Sequence, residues 1–305
     1  MKILVTGATG VIGRRLVPLL VGSGHLVAAA ARSPEGRDAV GRMGATAVEA
    51  NLFEVESLRH AVAGCGAVLN LATHMPSSSV RMMLPGAWRE NDRVRRTGSS
   101  NLVDAALAEG VDRFVQESFA PVYPDCGDRW IEEDMPIRPG PYNRTVADAE
   151  RSAARFTEAG HAGIVLRFGA LYGSDSKFLS DAVRLVRRGW APIPGAPEGF
   201  LSSVSHDDAA AAAAAALGVP PGTYNVVDDE PLTRREYFDS LAKALGVPPP
   251  KFPPHWAALL LGSVGEVLAR SQRISNRKLK SASRWAPKYP SVRDAWPSVV
   301  AGLSK

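Results

Sequence analysis

Three features of this 305-residue chain predict an α/β fold with a doubly wound parallel sheet. Short apolar runs alternate with helical stretches through the first two-thirds, a glycine-rich turn joins the first strand to the first helix, and apolar residues make up 45% against 22% charged. The length exceeds that of a usual single core, so a smaller region is expected beside the sheet domain.

Strand signals fall at Lys2 to Thr6, Leu26 to Ala31, Ala67 to Leu71, Arg113 to Gln116 and Gly163 to Phe168. Between them the pattern predicts helices over Val11 to Val21, Val55 to Ala63, Thr97 to Glu109 and Tyr142 to Glu158. The first carries Pro18 in its interior, where a missing backbone donor predicts a kink. The run Ala209 to Ala216 follows Asp207 and Asp208 and precedes Gly218, which reads as a helix with an acidic start and a glycine cap. Tyr224 to Val227 reads as a further strand of the sheet.

The chain is therefore divided into a nucleotide-binding domain over residues 1–173, rejoined by a strand at 222–228, and a mostly capping and substrate-binding region over 174–305. Proline-rich pieces around Pro192 and Pro253 are interspersed with Trp, Phe and Ile, as in ordered loops that cover a site.

The turn Thr6-Gly7-Ala8-Thr9-Gly10-Val11-Ile12-Gly13 leaves an apolar strand and opens a helix, the context that gives a glycine pattern meaning. Gly7 permits the tight turn, Gly10 the close approach of a pyrophosphate and Gly13 the contact of helix with sheet, a Rossmann-type arrangement. Free amides at the helix start would meet the phosphates. The second strand ends Ala30-Ala31-Arg32-Ser33, without the carboxylate that an NAD-selective site places on the ribose. Arg32 and Ser33 suit a 2'-phosphate instead, so NADP is expected over NAD.

Bulk properties exclude several partners. Lys+Arg 36 against Asp+Glu 31 is a modest excess, scattered and without aromatic interleaving, so no nucleic acid is expected. Cys65 and Cys126 are too few for a disulfide framework or a thiolate zinc site and fit a reducing cytoplasm. Trp256 to Ala269 is broken by Gly262, Gly265 and Glu266 and falls short of the roughly 20 residues that a bilayer needs. His206-Asp207-Asp208 opens a helix and lacks a third ligand, so no metal is expected.

Further motifs follow the glycine turn: Asn70-Leu-Ala-Thr73, Glu90-Asn91 ahead of Thr97-Gly98, Phe114-Val115 leading to Val122-Tyr123, Arg167-Phe-Gly-Ala-Leu-Tyr172-Gly173, Ser205-His-Asp-Asp208 and Gly222-Thr-Tyr-Asn-Val226. In order and spacing the chain resembles the extended short-chain dehydrogenase/reductase family, which includes NAD-dependent epimerases and dehydratases. The resemblance implies a cofactor site lined by Gly7, Thr9, Gly10, Val11, Ile12, Gly13, Arg32, Ser33, Leu71, Ala72 and Thr73, with Asn51 and Leu52 near the adenine. It also implies Ser118, Tyr142 and Phe168 around the nicotinamide, and a homodimer formed through the helices near Thr97 and Tyr142.

Two departures stand out. The family sets a lysine four residues after its tyrosine, and here Tyr142 is followed by Val146. Phe119 occupies the hydroxyl position four residues before Tyr123, leaving Ser118 adjacent. Tyr142 and Ser118 remain the candidate catalytic residues. Three readings stay open: an atypical reductase, dehydrogenase or epimerase acting on a small carbonyl or sugar-like substrate, aided by Arg144, Glu117, Tyr123 or His74; a non-catalytic NADP(H) sensor; and a dehydration or isomerisation with Glu117 or His74 as base. Trp190, Trp256, Met75 and Phe119 are candidates for an apolar pocket wall.

Overall fold

Strands buried on both faces need cover on both sides, and the computed structural model, which describes residues 1–76, 81–84, 86–192 and 195–303, supplies helices to each. The sheet consists of β1 (Lys2–Thr6), β2 (Leu26–Ala30), β3 (Thr46–Val48), β4 (Ala67–Asn70), β5 (Arg113–Phe119), β6 (Ala162–Phe168) and β7 (Gly222–Val226). Their order is β7-β6-β5-β4-β1-β2-β3, and every neighbouring pair is parallel. The winding reverses between β1 and β4, and a doubly wound sheet opens its crevice there, beyond the C-terminal strand ends.

Alternate residues of each strand serve opposite layers. Ile3 and Val5 meet Leu16, Val17 and Leu20 of α1 (Gly13–Gly22) and Val40 of α2 (Pro34–Arg42). Leu4 meets Leu58 of α3 (Val55–Val62), and beyond the short α4 (Arg89–Arg93) the layer continues through Leu102 of α5 (Ser99–Ala108) and Phe156 of α6 (Val146–Glu158). Beyond α7 (Lys177–Arg187), the alanine run forms α8 (His206–Ala215), whose small side chains pack it against α1. Ser205 caps α8, accepting from the Asp208 amide at 3.0 Å.

Helix α8 packs on α1 and β7 pairs with β6, so both lie with the sheet. The remaining cap gathers α7, α9 (Arg234–Leu245) and a C-terminal helix over residues 292–303 around Tyr172, Tyr237, Phe238 and Trp296. Between them, α10 (Gly262–Ala269) packs on the short turns Arg81–Met83 and Ala120–Val122. Among the described residues no helix is long and apolar enough to cross a membrane, and no cluster of His, Cys, Asp and Glu suits a metal. Ile193 and Pro194 of the first proline-rich piece lie outside the described residues.

Some boundaries differ from the sequence expectation. Helix α6 begins at Val146, not Tyr142, because the preceding residues form successive tight turns: the Asn143 amide bonds Gly140 O at 3.2 Å and the Val146 amide bonds Asn143 O at 3.1 Å. Helix α8 ends in a 3-10 turn, Ala216–Gly218, rather than on a left-handed glycine. There Arg113 serves the open carbonyls, donating to Val219 O at 2.7 Å. Helix α1 continues through Pro18, which lies on its exposed side.

Asp228, just past β7, is buried with Oδ2 accepting from Ser203 Oγ at 3.1 Å, and Oδ1 has no partner among the described residues. Burial pushes its carboxyl well above the ordinary aspartate range, outweighing the Ser203 bond, and Asp208 adds like-charge repulsion. A raised folded-state pKa favours the fold most below the unfolded value and withdraws that stability as pH climbs toward the raised value. Asp228→Asn is expected to raise Tm near neutral pH and to flatten the loss of Tm as pH climbs from about 4 toward neutral. Thermal melts across that range check it.

Candidate functional site

The glycine loop sits at the crevice. Gly7 has φ +69°, and a β-carbon there would overlap the Leu71 carbonyl, so the loop lies directly on the end of β4. A β-carbon at Gly13 would overlap the Gly7 carbonyl oxygen and the backbone of Ala8, so only glycine lets α1 start this close to the turn. Thr9 and Gly10 face solvent, while Val11 and Ile12 pack beneath them. The amides of Val11, Ile12 and Gly13 have no backbone acceptor among the described residues, and the first turn of α1 contains no acid. Such a start leaves donors and a partial positive charge for an anion, so the residues present fit a dinucleotide pyrophosphate.

Arg32 and Ser33 follow β2. Ser33 caps α2 by accepting from the Gly36 amide at 3.1 Å, and Arg37 Nη2 donates to Arg32 O at 3.3 Å. A β-carbon at Gly36 would lie 3.9 Å from Thr9 Cγ2, which sets this helix start beside the glycine loop. Asn51 and Leu52 follow β3 on the same edge. The Asn51 side chain is committed to the turn into α3, accepting from the Phe53 amide at 3.1 Å and donating to Glu54 Oε1 at 2.7 Å. Leu52 packs on Gly98 and accepts from Asn101 Nδ2 at 3.0 Å. Leu71 is buried, while Ala72 and Thr73 open progressively to solvent beyond β4. Phe168 is 2% exposed and packs in the sheet core.

Tyr142 belongs to an apolar cluster with Trp88, Val264 and Val267, against which Phe119 packs. The Trp88 and Tyr142 rings lie 5.0 Å apart, and the two valines come from α10, so the cap meets the sheet domain here. Burial pushes the Tyr142 hydroxyl above its ordinary value of 10.0, with the charges of Arg95 and Arg270 acting against it. The phenol stays protonated at neutral pH, where it can give up a proton but not take one.

Ser118 is on the other side of the strand. Its hydroxyl donates to Glu150 Oε1, and Glu150 holds Arg167 through two bonds of 2.8 and 2.7 Å. The one-residue step from Phe119 reverses side-chain direction, which is why Phe119 and not Ser118 reaches the Tyr142 cluster. Tyr123 is likewise engaged: it donates to Asn225 Oδ1 at 2.8 Å and accepts from Arg167 Nη1 at 2.8 Å, and burial pushes its pKa up to about 12 despite the Arg167 charge. Glu117 pairs with Arg95 at 3.2 Å. His74 and Arg144 are exposed, as are Met75, Trp190 and Trp256.

Sequence reasoning missed Arg95, Arg270 and Trp88. Arg95 is one of three arginines in Arg93-Val-Arg-Arg96, and the π-helical turn Val94–Gly98 breaks the periodicity that would single out the buried one. Arg93 instead stacks over the Phe53 ring, and Arg96 pairs with Asp148.

Comparison with known proteins follows this geometry. Residues 7–220 match the family model described as NAD(P)H-binding. A Streptomyces protein named 3-diazoavenalumate denitrifying reductase is 35% identical over 96% of this chain and 98% of its own length. A 2-alkyl-3-oxoalkanoate reductase of Stenotrophomonas maltophilia is 29% identical over 81% of this chain and 77% of its own. Among solved structures, a human epimerase family protein with NADPH superimposes with a TM-score of 0.83 at 20% identity, covering 99% of both chains. Thermus thermophilus UDP-glucose 4-epimerase with NAD gives a TM-score of 0.78 at 26% identity, covering 100% of this chain and 99% of that one. The chain thus belongs to the NAD(P)H-binding oxidoreductase family, within the extended short-chain dehydrogenases/reductases that include the NAD-dependent epimerases and dehydratases.

Proposed function

We propose that the chain is an NADPH-dependent reductase passing hydride to an acceptor that needs no proton from the protein, with aromatic diazo compounds as the substrate class. The packing of Phe119 on the Tyr142 cluster carries this, together with the sequence reading in which the resemblance implies a hydroxyl at Phe119 and a lysine at Val146. Carbonyl reduction ends on an alkoxide that must be protonated in the site. Reduction of an arenediazonium ion by one hydride yields the arene and dinitrogen and consumes no proton. A bound reduced nicotinamide supplies that hydride, while Phe119 and Trp88 offer a planar acceptor an apolar seat and keep water out. The Streptomyces relative is named for a denitrifying reduction of a diazo compound and matches over nearly its whole length.

A second reading, reduction of a small carbonyl or sugar-like substrate, is favoured by the protonated Tyr142 within the same cluster. Relatives that match over most of their length are named for oxidoreductions, which weighs against the sensor reading. The test follows NADPH oxidation at about 340 nm with arenediazonium salts, ketones, β-keto acids and sugar nucleotides, against enzyme-free controls. Diazo reduction is expected, with deuterium passing from C4-labelled NADPH into the arene. Turnover of ketones alone would return the site to carbonyl chemistry.

The choice of NADP rests on Arg32 and Arg37, two exposed guanidiniums at a Ser33-capped helix start whose one acid is Glu35. Charge-assisted bonds are worth about 1.5–3 kcal/mol each. Arg32→Asp is therefore expected to weaken NADPH binding by roughly 10- to 100-fold and to leave NADH binding level or improved. Fluorescence titration with both nucleotides measures it.

A further inference from the structure

Arg95 presents an anomaly. Its side chain is 4% exposed, yet Nε has no acceptor among the described residues. Its one recorded partner is Glu117, whose oxygens lie 3.2 and 3.5 Å from the same terminal nitrogen, Nη2. A planar guanidinium that presents two N–H edges to a carboxylate makes a far stronger pair than this single-point contact. A buried donor left open forfeits its hydration without a replacement bond, which calls for a compensating use. The residue also sits in a π-helical turn, a distortion that occurs most often at functional sites.

Its location says what that use is. Glu117 and Phe119 are two apart on β5 and so share a face, and Phe119 is part of the Tyr142 cluster. The Arg95 charge reaches the Tyr142 hydroxyl, as does that of Arg270. Arg270, however, gives both hydrogens of Nη1 to the carbonyls of Tyr123 and Arg138 at 3.1 and 2.6 Å, and Nη2 to Glu266 at 3.2 Å, so it is tied down at three points. Arg95 is held at one point and keeps a buried Nε with no acceptor among the described residues, beside the Tyr142 cluster.

We infer that Arg95 is the anion-recognising residue of this pocket and selects aromatic acceptors that carry a carboxylate. Nε and a neighbouring N–H match the two oxygens of a carboxylate side-on, and Phe119 with Trp88 supplies the aromatic seat. The inference rests on the reductase reading only in taking this pocket as the substrate site. It specifies what that reading leaves open, the charge of the substrate.

Isothermal titration of the NADP-loaded protein with cinnamate and with its neutral isostere cinnamamide tests it. Cinnamate is expected to bind about 10-fold or more tightly than cinnamamide, and Arg95→Met to erase the difference while Arg95→Lys keeps part of it. Should Arg95→Met fail to fold, Glu117→Gln decides: relieved of its carboxylate, the guanidinium is expected to tighten cinnamate binding several-fold and leave cinnamamide unchanged. Equal binding of the two compounds by the wild type, a preference that persists in Arg95→Met, or an unmoved cinnamate affinity in Glu117→Gln overturns the assignment. NADPH affinity and diazo turnover, measured on the same samples, are separate readouts. A carboxylate preference without turnover defeats the reductase reading alone, and turnover without the preference defeats this one alone.

Discussion

Gly13→Ala is expected to abolish NADPH binding. The added β-carbon overlaps the Gly7 carbonyl oxygen and two backbone atoms of Ala8, and neither neighbour has a flexible end that can swing aside. Helix α1 must lift or the loop must open, a rearrangement that costs about 1–3 kcal/mol. Either movement carries the amides of Val11, Ile12 and Gly13 off the pyrophosphate. The upper figure alone corresponds to roughly 100-fold in affinity. Gly10→Ala is the control: its β-carbon stands 3.1 Å from the Gly7 oxygen on the exposed side of the turn, so the fold is expected to hold while the nucleotide is displaced. Nucleotide titrations and thermal melts on both variants separate the effects, and wild-type NADPH affinity in Gly13→Ala would mean that the loop is not the cradle.

The second large effect concerns Glu150. Its carboxylate and the Arg167 guanidinium are 12% and 7% exposed and joined by a two-point contact, with Ser118 donating to the same carboxylate. Removing one member of a buried pair leaves the other charge stranded, at about 3–5 kcal/mol. Glu150→Ala is expected to lose that much stability in urea denaturation. Ser118→Ala removes one hydrogen bond and is expected to cost about 1 kcal/mol while leaving turnover intact. A Ser118→Ala enzyme of normal stability but without activity would put the hydroxyl back in the chemistry.

The sheet was legible because strands covered on both faces are continuous apolar runs, and those expected from Lys2, Leu26, Ala67 and Gly163 begin within one residue of those positions. The short strand Thr46–Val48 and helix α2 were not: a three-residue strand carries no period, and α2 buries only Val40. At the site, the glycine loop and Arg32 could be read directly, since backbone requirements and a missing carboxylate are visible residue by residue. The apolar cluster could not, because Trp88 and Val267 meet Tyr142 only through the fold. Val146, four residues after Tyr142 where the resemblance implies lysine, is read from the sequence alone. That Tyr142 lies in turns ahead of α6, and that Arg95 is the buried arginine of its segment, depended on hydrogen bonds and a π-turn that composition does not encode.

The last strand of the sheet is made long after its neighbour. While the ribosome is still producing the residues between β6 and Gly222, the outer backbone of Ile164, Val165 and Leu166 has nothing to pair with. A nascent chain at that stage offers a flat greasy template for other chains. Expression of residues 1–173 alone is accordingly expected to give inclusion bodies, whereas a piece carried through residue 226 is expected to stay in the supernatant after centrifugation.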